Sequence, residues 1–189
     1  TRHLNEDSYD IDLPNRLAVL VDGMGGSNAG DIASAFVREH IRNSLLQSND
    51  LSAALKNAGQ ALRIQRPQQG STPRGASALA VNWDDDAYHI AWIGACRAFF
   101  YNGQHTQHLS TAATDVAADK NAVQGLANVQ ALGVTTTEKL HIQSASGAWR
   151  RNQALLLCSD GLMDECDAAL IHDCIGNKKL SAQEAVEQL

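Results

Sequence analysis

The stretch that decides the fold is Leu17-Ala-Val-Leu-Val-Asp-Gly-Met-Gly-Gly26. Its opening apolar run is typical of a buried strand, and Asp22 ends that run. A glycine-rich turn follows, after which Ser27 or Asn28 is placed to cap a helix. Apolar residues then recur at helical spacing as far as Leu45, with charged residues between them. The sequence therefore predicts a strand, a tight turn and an amphipathic helix.

Four kinds of site use a strand, turn and helix of this type. A dinucleotide fingerprint would need a third glycine where Asn28 stands, and a P-loop would need lysine where Asp31 stands. A serine-hydrolase elbow, GxSxG, is approximated around Ser27, with Ala29 in place of the last glycine. In the fourth interpretation the carboxylate of Asp22 binds a metal, and the glycines let backbone oxygens approach the ion.

Other acidic residues have the same character as Asp22. Glu6 and Asp7 lie near the start of the chain, and Asp160 ends a second apolar run before Gly161. With no His or Cys beside them, these acids describe an oxygen-only site suited to Mg²⁺ or Mn²⁺ rather than zinc. Each Asp-Gly pair is also an ordinary turn sequence. The residues alone therefore leave open whether these acids form a metal site or simply lie in turns.

The rest of the chain reads as strands with few helices between them. Asp50 is expected to cap a second helix, and Ser181 and Glu184 form a capping box for a last one. The pattern predicts strands at 76–83 and 88–93, a hairpin of 97–101 with 104–109, and strands at 140–144 and 154–158. Runs of strands with helices set apart from them favour an α+β fold.

Composition restricts the class of protein. The 189 residues fit a single domain, and the net charge of −6 argues against a nucleic-acid partner. No apolar run reaches the ~20 residues that would span a membrane, and no secretory leader is visible. The four cysteines have no metal-site spacing, which favours reduced, buried thiols. We therefore expect a cytoplasmic protein.

Several segments together resemble the metal-dependent Ser/Thr protein phosphatases of type 2C, the PPM family, in its bacterial form. The glycine-rich segment and the late Ser-Asp-Gly segment are the specific ones, and the others support them. In chain order the segments are Arg2-His-Leu-Asn-Glu-Asp7, Val21-Asp-Gly-Met-Gly-Gly26, Gly75-Ala-Ser77, Ala131-Leu-Gly133 and Leu157-Cys-Ser-Asp-Gly-Leu162. The resemblance thus covers nearly the whole chain.

This resemblance implies a four-layer αββα sandwich, two antiparallel sheets flanked by helices, with two Mn²⁺ or Mg²⁺ ions at one edge. Two such ions neutralise phosphate and lower the pKa of water, and arginine binds phosphate through two parallel hydrogen bonds. By this resemblance, Asp22 would bridge both metals, Gly23 would supply a backbone oxygen, and Asp160 would bind one metal. Asp7, with Glu6 behind it, would hold water, and Arg2 would bind the phosphate.

The implied activity is hydrolysis of phosphoserine and phosphothreonine in proteins, opposite a Ser/Thr kinase in signal transduction. Two residues depart from the family pattern. Ala95 stands in Gly94-Ala-Cys-Arg97 where the family has a metal-binding aspartate, and Met24 stands where eukaryotic relatives often carry histidine. Ala95 favours an alternative, a pseudophosphatase or a regulatory module that binds phosphoproteins with little or no turnover.

The resemblance also predicts the organisation of the chain. Residues 1–189 are expected to form one phosphatase-like domain, with a flap over the site at about 110–133. The family's final Asp-Asn motif is absent, and the apolar pattern is cut off at Leu189. We therefore expect the domain to be truncated at both ends.

Overall fold

A computed structural model describes residues 5–24, 29–65, 74–110 and 130–189. Within these ranges the chain forms eight strands, five α-helices and one short 3₁₀ helix at Thr137–Lys139. The strands are β1 Asp7–Asp12, β2 Leu17–Met24, β3 Gly75–Trp83, β4 Ala87–Ile93, β5 Arg97–Tyr101, β6 Thr106–His108, β7 Gln143–Ala148 and β8 Ala154–Cys158. The helices are α1 Ala29–Gln47, α2 Leu51–Ile64, α3 Asp160–Glu165, α4 Ala168–Gly176 and α5 Ala182–Gln188.

The strands form two antiparallel sheets. One has five strands in the order β1-β2-β3-β4-β7, and the other has three in the order β6-β5-β8. One face of the larger sheet packs on α1 and α2, as Val19 and Ile41 of the same apolar cluster illustrate. The opposite face packs on the smaller sheet through residues such as Leu79. The outer face of the smaller sheet packs on α4 around Ile171. The predicted α+β fold with four layers is confirmed.

The central position of β2 explains its continuous apolar run. Val19 and Val21 join the cluster beneath the helices, whereas Leu20 packs against the cluster between the sheets. A strand covered on both faces needs apolar residues at consecutive positions rather than at alternate ones. Asp22 follows in the same strand with only 4% of its surface exposed. The fold therefore buries a carboxylate at the end of its central strand.

The helix caps predicted at Asp50 and Ser181 are confirmed, whereas the cap predicted at Ser27 or Asn28 lies outside the described residues. The side chain of Asp50 accepts a hydrogen bond from the backbone N–H of Ala53, at 2.9 Å. Ser181 and Glu184 form the predicted capping box at the start of α5. Local hydrogen bonding by these short polar side chains is sufficient to fix where each helix begins.

Some predicted elements differ from the observed ones. The predicted strand 104–109 shortens to β6, because residues 102–105 form the turn, in which Asn102 Oδ1 accepts from the N–H groups of Gln104 and His105. The predicted strand 140–144 begins later, at Gln143, where pairing with β4 starts. Strand β1 and helices α3 and α4 were not predicted, since each is short, with six, six and nine residues.

Only the margins of the predicted flap, 110–133, can be compared, because residues 111–129 lie outside the described residues. At its far margin Leu132 pairs with Ala76, exchanging two backbone hydrogen bonds of 2.9 and 3.1 Å. Gly133 follows at a φ of +78°, and a side chain there would meet the carbonyl oxygen of Arg74. The Ala-Leu-Gly segment therefore fastens the chain to β3. The flap and the single-domain organisation stay predictions.

A matched pair of isoleucines tests the core. Ile41 of α1 is fully buried, whereas Ile64 at the end of α2 is 77% exposed. Ile41→Ala should lower the free energy of unfolding by about 2–5 kcal/mol, because it removes buried methyl groups and leaves a cavity. Ile64→Ala should change it by less than about 0.5 kcal/mol. Urea denaturation of both variants measures this, and similar losses would contradict the assigned packing.

Candidate metal centre

Two carboxylates lie side by side where β1 pairs with β2. Asp7 is the direct partner of Asp22 in the antiparallel register. Directly opposed residues point to the same face of a sheet, and alternation along β2 places this face toward the smaller sheet. Asp7 is exposed and Asp22 is buried. The register thus brings together two of the acids that the sequence singled out.

Three backbone segments approach closely behind these carboxylates. The N–H of Gly23 donates to the carbonyl oxygen of Glu6, at 3.1 Å. A side chain on Gly23 would collide with the backbone of Gly30 in α1, and one on Gly30 would lie 2.5 Å from the carboxyl carbon of Glu6. Glu6 therefore lies against the first turn of α1, where the helix dipole favours negative charge. Both glycines are needed for this close approach.

The smaller sheet supplies the third acid. Ser159, between β8 and α3, donates its hydroxyl proton to Oδ2 of Asp7, at 2.7 Å. Asp160 follows as the first residue of α3 and is exposed. The hydrogen bond therefore brings Asp160 to the same edge as Asp7 and Asp22. Sequence reasoning assigned no role to Ser159, although its position just before Asp160 was a signal.

Ala95 lies in a tightly held loop at this edge. Its N–H donates to the hydroxyl of Ser77, at 3.0 Å, and Ser77 is the direct partner of Asp22 on β3. The guanidinium of Arg97 donates to the carbonyl oxygens of Gly94 and Cys96, each at 3.2 Å. The loop is therefore well supported, but the methyl group of Ala95 offers no metal ligand.

Cys96 is the remaining buried group beside Asp22. Burial raises the pKa of the Cys96 thiol, and the nearby carboxylates of Asp22 and Asp7 raise it further. A hydrogen bond from the backbone of Asp22 lowers this pKa, but by less. A thiol held in its protonated form is neither a nucleophile nor a good metal ligand. The donors at this edge are therefore carboxylate and backbone oxygens.

The predicted site is assembled in part. The structure brings together Glu6, Asp7, Asp22 and Gly23. Asp160 lies at the same edge, because the residue before it, Ser159, is hydrogen-bonded to Asp7. Within the described ranges, however, no three His, Cys, Asp or Glu side chains are placed to hold one metal ion. Arg2 lies outside the described residues. An oxygen-only donor set fits Mg²⁺ or Mn²⁺ in kind, because hard cations prefer such ligands.

The fold is that of bacterial serine/threonine phosphatases. The catalytic domain of PstP, solved in complex with two manganese ions, is 23% identical with a TM-score of 0.78, over 100% of this chain and 86% of that one. PppA of Pseudomonas aeruginosa is 24% identical with a TM-score of 0.80, over 98% and 82%. Stp1 of Staphylococcus aureus is 20% identical with a TM-score of 0.76, over 99% and 82%.

At these identities the likeness establishes the fold alone. No protein-family model and no curated protein matches the sequence. No helix in the described part of the chain has the length and apolar character needed to cross a bilayer. The expected phosphatase fold is confirmed.

Thiol labelling tests the burial behind the site. Burial raises the pKa of the Cys158 thiol from 9.0 to about 11, against a lowering by nearby Arg97. At pH 8 the native thiolate fraction of Cys158 should therefore be about 100-fold below that in the urea-unfolded chain. Iodoacetamide should label native Cys96 and Cys158 slowly, faster as the pH rises toward 11, and rapidly in urea. Equal native and urea rates at pH 8, read by mass spectrometry, would contradict this.

Proposed function

We propose that this protein is a metal-dependent phosphatase that hydrolyses phosphoserine and phosphothreonine in proteins. The observation that carries the proposal is the pairing of Asp7 with Asp22 at one edge of a fold shared with bacterial serine/threonine phosphatases. A buried carboxylate beside a second one is unfavourable without positive charge nearby, and divalent cations supply such charge. The manganese ions of PstP make Mn²⁺ the first cation to test.

The proposed roles follow the family resemblance residue by residue. Asp22, the carbonyl oxygen of Gly23 and Asp160 would hold the cations, and Asp7, with Glu6 behind it, would hold water at the site. When bound, two cations supply charge neutralisation for the phosphate and a lower pKa for water. The guanidinium of Arg2 binds the phosphate oxygens through its planar fork.

The proton for the leaving group is a separate requirement. A serine or threonine alkoxide leaves poorly unless it is protonated. Met24 has no proton to give, and its methyl group lies close to Gly75 at the start of β3. We therefore infer that water held at the site supplies the proton.

Phosphate release from a phosphothreonine peptide, with and without Mn²⁺, tests the proposal. Asp22→Asn should abolish Mn²⁺-dependent release, because it keeps the volume of the buried side chain but removes the charge that one residue offers to two ions. Asp85→Asn is the matched control, because Asp85 is exposed and its ion pair is with Arg16, at 2.9 Å. Full Mn²⁺-dependent activity of Asp22→Asn would contradict the assigned site.

Ala95 supports a second candidate, a pseudophosphatase or regulatory module that binds phosphoproteins without turnover. Ser77 and Arg97 still support the loop, so an aspartate restored there would be held in place. If the protein binds Mn²⁺ but releases no phosphate, we expect Ala95→Asp to restore release, because the substitution returns a carboxylate to a loop that is still held in place. Rapid release by the unmodified protein would instead exclude the second candidate.

A further inference from the structure

We propose that Ser159 is a positioning residue of the metal site, whose hydroxyl orients the carboxylate of Asp7, which would bind the cation through water. This inference rests on the proposed function, because it concerns the same site. Two separate observations support it. The hydroxyl of Ser159 is hydrogen-bonded to Asp7, and it makes no capping hydrogen bond to α3.

Ser159 occupies the N-cap position of α3, with an extended backbone at φ −77° and ψ 175°. A serine there normally accepts a hydrogen bond from a backbone N–H in the first turn of the helix. Ser181, at the N-cap of α5, does so with the N–H of Glu184, at 3.2 Å. Ser159 makes no such bond. Its hydroxyl is directed to Asp7, so helix capping does not explain it.

The bond to Asp7 has the character of a strong, orienting contact. The hydroxyl oxygen lies 2.7 Å from Oδ2 of Asp7, and the two residues are 152 positions apart in sequence. A hydroxyl bonded to a carboxylate is a charge-assisted hydrogen bond, about twice as strong as one between neutral groups. Asp7 is exposed on the edge strand β1, where its side chain would otherwise rotate with little restraint. Fixing Oδ2 directs the carboxylate and reserves its other oxygen for a further partner.

The same bond sets the position of a second acid. Ser159 is joined covalently to Asp160, so holding its side chain to β1 holds the start of α3 against the larger sheet. Asp7 is in register with Asp22, and Asp160 follows Ser159 directly. One hydrogen bond therefore connects the carboxylates of the two sheets. Outer contacts of this kind typically change metal affinity by 10–100-fold when removed.

The test is calorimetric titration of the metal-free protein with Mn²⁺ alone, together with the thermal unfolding of each metal-free variant. Ser159→Ala should weaken Mn²⁺ binding by about 10–100-fold. Ser159→Gly should weaken it equally, because glycine is tolerated at an N-cap but has no hydroxyl. Ser159→Thr keeps the hydroxyl and should restore binding to within about threefold. In turnover assays, the Ala and Gly variants should need more Mn²⁺ while kcat at saturating Mn²⁺ changes less.

Ser181→Ala is the matched control. It removes a true N-cap serine from α5, so it should lower the midpoint of thermal unfolding and leave Mn²⁺ affinity unchanged. The inference is overturned if Ser159→Ala binds Mn²⁺ as the unmodified protein does, or if Ser159→Thr is weakened as much as Ser159→Ala. Failure of the unmodified protein to bind Mn²⁺ would instead overturn the proposed function.

Discussion

Burial of the Asp22 carboxylate is the constraint on which the arrangement of this edge depends. With 4% of its surface exposed, Asp22 has lost most of its water, which is costly for a charged group unless neighbours compensate. The register adds a second carboxylate, Asp7, on the adjacent strand, and two like charges in one site raise that cost. A cation bound beside the two carboxylates would lower this cost. The pairing of the two acids therefore favours a metal site more strongly than either acid alone does.

Antiparallel topology explains how acids that are distant in sequence reach one edge. The start of β1, the end of β2 and the start of β3 are neighbours in the larger sheet. The loop after β4 returns to the same edge, where Ser77 binds the N–H of Ala95. The smaller sheet contributes the end of β8, joined to β1 through Ser159. Each short motif therefore lies where a strand ends, and the layered packing of the two sheets brings the motifs together.

Sequence predicted the features that local chemistry determines. The apolar run of β2, the cap at Asp50 and the capping box at Ser181 each depend on neighbouring residues, and all were predicted. Strand β1 was missed because its alternation is inverted: Asp10 and Asp12 turn toward Arg42 of α1 in ion pairs, whereas Tyr9 is 69% exposed. The contact between Ser159 and Asp7 was missed for a related reason. It joins residues 152 positions apart, and no periodicity within one segment can indicate such a contact.

The fold by itself does not decide between an active enzyme and a binding module, because one fold supports several functions. The distribution of retained and lost groups is more informative. The groups that surround Asp22 are in place: Asp7 in register, the close approach of Gly23 and Gly30, and Asp160 behind Ser159. Ala95, which offers no ligand, lies in a loop that Ser77 and Arg97 still hold. If Asp7, Asp22 and Asp160 bind cations as proposed, the lack of one further ligand at Ala95 would alter the rate or the metal dependence of the reaction before it abolished cation binding.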